Sequence, residues 1–290
     1  MALGDGIRRN IAHVEPAERA LLRDAFILLN KKLYPGARGD QVPGGVTWWF
    51  KQDEIHSVTH VHSGPEFLPW HRELVNRLET LLRQIEPKVS LHYWDWTQDP
   101  RKIPNANLGG GSTGILDLFK PDFMGYGGST SQSIGQPWLS AGYYVPGANP
   151  NRENSHNPAD PPRDVVRYVN AALGPVSTAD NDAIVQAGDF ALMRTKLESA
   201  HNNMHGFVAM GGQHVSFRDP FVFLLHSNVD RLLARWQTDP AHSERLDPQR
   251  VYGSESNQPR LNVNVEPWST GQSMDIFGNT HFIRPWYAPE

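Results

Sequence analysis

Cysteine is absent from the chain, which excludes disulfides, thiolate zinc sites, iron-sulfur clusters and a cysteine nucleophile together. Any metal must then be held by His, Asp or Glu. Long apolar runs are missing too: no window approaches the roughly 18 residues that a membrane span needs. The opening stretch, Met1 to Arg9, lacks the apolar segment of a signal peptide. The expectation is a soluble, cytoplasmic chain with no membrane role. Charge of one sign is also scarce. Lys and Arg (27) are scattered among Asp and Glu (31), for a net charge of -4. No basic face offers itself to nucleic acid, and the expected partner is small and uncharged.

What is present suits a packed interior: 290 residues, 39% of them hydrophobic, suffice for one large core. No internal repeat or clean linker divides the sequence, so residues 1–290 are read as a single domain. Glu15 to Leu33 reads as a helix, with Pro16 in the first turn, Leu21, Leu22, Ala25, Leu28, Leu29 and Leu33 at helical spacing, and Tyr34-Pro35-Gly36 as its stop. Further helices are expected from Trp48 to about His56 and from about Trp70 to Glu86, the latter stopped by Pro87. Two more are expected from about Asp189 to Met210 and from Pro220 to Gln237, where Asp219 and Pro220 suit an N-cap and first turn. Val89 to Trp96 looks extended. Pro100 to Pro162 is rich in Gly, Pro, Asn and Ser and reads as a long functional loop or cover. Residues 239–290 read as a Pro-rich tail whose Trp268, Phe282, Trp286 and Tyr287 could wrap the body.

Histidine clustering carries the chemistry. Eight of the thirteen fall in two groups: His56, His60, His62 and His71, then His201, His205, His214 and His226. His201 and His205 stand at i and i+4, which brings Cβ atoms about 5–6 Å apart on one helix face. His226, on the next helix, can complete a three-nitrogen site. The first group offers a second one, with His56 ending a helix, His62 in a loop and His71 near the start of the next helix. Imidazole alone suits zinc, copper, iron and nickel. Asn202, Asn203 and Met204 stand between His201 and His205, where a zinc protease would need a Glu. Non-haem iron prefers two His and a carboxylate, so two all-nitrogen triads fit copper cycling between oxidation states with O2.

Two motifs resemble the type-3 copper proteins, the family of tyrosinases, catechol oxidases (polyphenol oxidases) and haemocyanins, in its short bacterial form. One is His62-Ser63-Gly64-Pro65-Glu66-Phe67-Leu68-Pro69-Trp70-His71-Arg72. The other is His201-Asn202-Asn203-Met204-His205, followed by the run from Asp219 through His226 to Arg231. With Tyr93-Trp94-Asp95-Trp96 between them, the resemblance spans roughly residues 48–237. It implies a mainly α-helical fold: a four-helix bundle core with two helices for each copper, long irregular loops and few short strands. It also implies two copper ions, one on His56, His62 and His71, the other on His201, His205 and His226. His60 competes with His56 for the first role. Trp94, Asp95 and Trp96 are expected to buttress the helices. The chain departs from the family in having no Cys for a thioether bridge, in Leu225 before His226 where a His-His pair is usual, and in Val222 where Phe is usual.

The resemblance further implies an O2-dependent oxidation of monophenols or o-diphenols to o-quinones, with room for a copper-delivery protein as partner. Glu198 and Asn202 resemble the pair that holds a water to deprotonate monophenol; a surface Glu and a core-facing Asn are the plainer alternatives. Gly206 and Val215 are candidates for shaping the substrate pocket, with helix packing and core as the plainer alternatives. Asp230 is expected either to orient a ligand imidazole or to pair with Arg231 or Arg235. An o-aminophenol oxidase would use the same site. A haemocyanin-like O2 carrier is the rival from another class, disfavoured because little chain follows residue 240 to plug the copper. Structural zinc in a non-catalytic protein is the remaining reading.

Overall fold

The computed structural model describes residues 4–36, 46–59, 61–145, 163–210, 216–247 and 249–256. Among them, six α-helices carry the fold: α1 (Pro16–Leu29), α2 (Trp48–Thr59), α3 (Phe67–Ile85), α4 (Thr178–Val185), α5 (Phe190–Phe207) and α6 (Phe221–Gln237). None is long and apolar enough to cross a membrane. α6 is the hub: α3, α4 and α5 all pack on it, and α1 packs on α3. Its Phe221, Leu224, Leu225, Val229 and Leu232 are wholly or almost wholly buried, as expected of a helix surrounded on most sides.

Local chemistry explains where the helices begin. α3 starts at Phe67, three residues earlier than the apolar spacing suggests, because Pro69 falls in the first turn, where no backbone donor is needed. Asp189 caps α5 by accepting the Leu192 N–H at 2.8 Å. Asp219 accepts the Phe221 N–H at 2.9 Å at the start of α6. It also receives the buried Arg167 guanidinium at 2.5 and 2.7 Å.

Several expectations need correction. α1 ends at Leu29, not Leu33; Leu33 is exposed and makes a bridge with Thr47, while the Trp48 N–H donates to Lys32 O. α5 ends at Phe207, because Val208–Ala209 turns extended to form β7. α4 carries no apolar stripe long enough to announce it, yet Ser177 caps it by accepting the Asp180 N–H. The stretch after Pro100 contains an antiparallel hairpin, β1 (Ile103–Gly109) and β2 (Ser112–Leu116), joined by Gly110 and Gly111. Both glycines have positive φ, 60° and 81°, which the tight turn between twisted strands requires.

The other strands are short. β3 (Gln132–Ser133), β6 (Val166–Val169) and β7 form one small antiparallel sheet, and β4 (Tyr144–Val145) pairs with β5 (Arg163–Asp164). Trp94 and Trp96 are fully buried. The Trp94 N–H donates to Leu224 O at 3.1 Å and its ring meets Phe221, which buttresses α6. Residues 146–162 and the tail from 257, with Trp268, Phe282, Trp286 and Tyr287, lie outside the described residues.

Candidate metal centre

The helices deliver six imidazoles to one buried spot. His56 comes from α2, His62 from the loop that follows, and His71 from the second turn of α3. Their ring centroids stand 5.0, 5.3 and 5.4 Å apart. α5 presents His201 and His205 from successive turns and α6 presents His226, with centroids 4.4, 4.8 and 5.6 Å apart. Within each triad one nitrogen per ring lies within 4.8 Å of the others, so each could hold a metal ion. The triads face one another, with the His71 and His226 rings stacked at 4.8 Å and 13°. Phe67 and Phe217 wall the space between them. Phe67 meets His71 and His201, and Phe217 meets His56 and His226.

The nitrogens are prepared as ligands. His71 Nδ1 donates to Phe67 O at 2.7 Å, one turn back on its own helix, which leaves Nε2 with its lone pair facing the cluster. His201 Nδ1 stands 3.0 Å from Asn202 Oδ1, with the same result. His226 Nε2 lies 3.3 Å from His201 Nε2 and 3.4 Å from His205 Nε2. Three nitrogens about 2 Å from a shared ion stand roughly 3.3–3.5 Å apart, so the spacing suits one. Burial is the main cause that keeps these rings neutral. It holds His56, His71, His201 and His226 well below the ordinary imidazole value, and it lowers His205 to about 3. Neutral imidazole is the form that binds metal.

A family model, the common central domain of tyrosinase, matches residues 45–239. The chain belongs to the tyrosinase family. It is 28% identical over 236 residues to the tyrosinase of Streptomyces antibioticus, covering 72% of this chain and 74% of that protein. It is 26% identical over 250 residues to hemocyanin 2 of Megathura crenulata, covering 82% of this chain but spanning only 6% of that much longer protein. A grixazone synthase of Streptomyces griseus is 25% identical over 261 residues, covering 76% of this chain and 80% of its own. Among solved structures, the fold resembles a polyphenol oxidase mutant from Thermothelomyces thermophila. The TM-score is 0.60 at 18% identity, with 82% of this chain and 74% of that one covered. It also resembles a functional unit of octopus hemocyanin, with a TM-score of 0.60 at 20% identity, covering 92% and 61%. As a member of the tyrosinase family the protein is a copper-dependent oxidoreductase of the type-3 kind, and its cofactor is a dinuclear copper centre.

Around the triads of this tyrosinase-family chain, the other expected residues are placed as follows. Glu198 is buried on α5; its Oε1 accepts the Ser63 N–H at 2.6 Å and its Oε2 pairs with Arg194 at 3.4 Å. Asn202 is exposed beside His201, not core-facing. Gly206 follows His205, a half-buried residue, and a Cβ there would stand 3.0 Å from Leu173 Cδ1. His60, His214 and Val215 lie outside the described residues. The carboxylate of Asp230 is held by Arg8 at 3.0 Å and by Arg72. These two arginines come from the N-terminal segment and from α3, and neither was expected.

Sequence reasoning missed Phe217 and Asp53. Phe217 stands two residues before the Asp219-Pro220 signal and carries no metal-binding chemistry of its own. Asp53, one turn before His56, is fully buried and receives Arg218 Nε at 2.9 Å. That ion pair fixes the short 3-10 turn Ser216–Arg218 against α2, and Phe217 with it.

Proposed function

We propose that the six imidazoles hold the copper pair, His56, His62 and His71 on one ion and His201, His205 and His226 on the other. The proposed reaction is the O2-dependent oxidation of o-diphenols and monophenols to o-quinones. Two catechols and one O2 give two quinones and two waters. The observation that carries the reading is the pair of facing triads, six imidazoles gathered in one cluster with no carboxylate among the candidate ligands. When bound, the copper pair supplies the electron transfer to O2.

The chain's own residues supply geometry and proton handling. Phe67 O and Asn202 Oδ1 fix the tautomers of His71 and His201, so that Nε2 is the ligand atom. Phe67 and Phe217 exclude water from the space between the triads. A phenol, with a pKa near 10, is almost wholly protonated at neutral pH. A water held between Glu198 and Asn202 takes that proton as a monophenol approaches the His205 side. Gly206, with no side chain, leaves that approach wide.

The test is O2 uptake by copper-loaded protein given catechol, the matching monophenol and an o-aminophenol in parallel. Consumption with the monophenol supports the full reading. Consumption with the two ortho-substituted substrates alone removes the water-holding role of Glu198 and Asn202 and leaves an o-diphenol or o-aminophenol oxidase. Reversible O2 binding with no turnover would make the chain a carrier of the haemocyanin kind.

A further inference from the structure

We infer that Glu198 is a positioning residue that straps the two histidine triads together. It sits on α5, one turn before His201, and its Oε1 accepts the backbone N–H of Ser63 at 2.6 Å. Ser63 directly follows His62, the one imidazole of the six carried on a loop instead of a helix. The hydrogen bond spans 135 positions of sequence and joins the helix of one triad to the loop of the other. The inference deepens the proposed function and rests on it only for the consequence at copper.

Ser63 shows why the loop needs holding. It has φ of 60°, a left-handed conformation that is strained for a non-glycine residue and persists only where the surroundings impose it. On one side α3 fixes the loop: the Phe67 N–H donates to Gly64 O at 3.1 Å and the Trp70 N–H to Glu66 O at 3.0 Å. On the side next to His62, Glu198 is the anchor. The carboxylate is itself aimed. Arg194, one turn earlier on α5, reaches its Oε2 and clasps Glu255 in a bidentate pair at 2.7 and 3.1 Å. Segment 253–255, beyond the family-matched residues, thereby backs the loop through Arg194 and Glu198.

A hydrogen bond and a base make different demands at position 198. An amide oxygen can accept the Ser63 N–H as a carboxylate does, but it carries no charge to help a held water take the proton of a phenol. Glu198→Gln therefore keeps the strap, whereas Glu198→Ala removes it. The experiment is amide hydrogen exchange across residues 61–66 in metal-free protein, with copper stoichiometry measured alongside. In Glu198→Ala the exchange is expected to quicken roughly 10- to 100-fold, the loss of one hydrogen bond to a charged acceptor. Copper should fall from two toward one per chain. In Glu198→Gln both are expected to stay near wild type. If Glu198→Ala does not fold, Glu198→Asp, one methylene too short to reach Ser63, takes its place. Unchanged exchange in the shortened variant, or exchange as fast in Glu198→Gln as in Glu198→Ala, would overturn the strap. The exchange contrast needs neither copper nor substrate, so it stands or falls separately from the oxidase reading. Failure of wild type to bind two coppers would sink that reading and leave the strap intact.

Discussion

Asp53 shows how a single buried charge shapes the stability of this centre. Its carboxyl is raised to about 6, because burial outweighs the attraction of Arg218. Between an ordinary Asp value near 4 and about 6, the native state holds a proton that the unfolded chain has released. Stability from this group therefore falls as pH rises through that window, by roughly 3 kcal/mol at most. The buried histidines act in the opposite sense. His205, at about 3 when folded, stays neutral where an unfolded His takes up a proton below about 6.5, so stability is lost as pH falls from there. Urea unfolding of metal-free protein from pH 4 to 7 should therefore show net acid lability. Subtracting the Asp53→Asn curve should isolate the contrary slope between 4 and 6, and parallel curves would refute the burial of a protonated Asp53. The six histidines were legible because metal chemistry restricts residue type and spacing. Asp53 and Phe217 were not, since burial and ring stacking leave no mark on a sequence until distant elements meet.

At the same scale, Gly206 is a matter of space. A side chain there would meet Leu173 Cδ1, the movable end of a half-exposed residue, so Gly206→Val should fold with a small local shift. If the His205 side is the substrate's approach, the variant loses kcat/KM for a catechol with a bulky 4-substituent at least 10-fold more than for catechol itself. Equal losses on both substrates would assign Gly206 to helix packing.

Elements were readable where periodicity and punctuation agree, as in α3, α5 and α6, whose boundaries moved by at most three residues. They were unreadable where the signal is a turn or a partner. The Gly110-Gly111 hairpin sits in a stretch whose composition reads as loop, and α4 is too short for an apolar stripe. Asp219 is a middle case: the sequence announces a cap for α6, but only the fold brings Arg167 to it. Truncation should therefore cost more than a cap. Losing the cap alone costs about 1 kcal/mol, whereas stranding a fully buried guanidinium costs about 3–5 kcal/mol. Asp219→Ala should destabilise by several kcal/mol in denaturant unfolding. The double variant Asp219→Ala/Arg167→Met should recover part of that loss. A single-variant cost near 1 kcal/mol would mean that Arg167 finds water or another acceptor.

Across the whole molecule, the N-terminal segment is tied to the helix pair that presents one imidazole from each triad. Arg8 is fully buried and reaches Glu79 on α3 at 2.7 Å and Asp230 on α6 at 3.0 Å, with Asn76 at 3.1 Å. Arg72, the neighbour of His71, binds the same Asp230 and also Gln237. Two arginines thus balance two acids behind the stacked rings of His71 and His226, and neither helix can slide without breaking a buried ion pair. Arg8→Met leaves Glu79 without that partner while Asp230 keeps Arg72, so the cost should be about 3–5 kcal/mol, that of breaking a buried pair. Because the break lies behind both triads, copper should also leave faster. Chelator-driven release from Arg8→Met should outpace wild type at a temperature where both are folded. Equal release rates with lowered stability would confine Arg8 to holding the N-terminal segment in place.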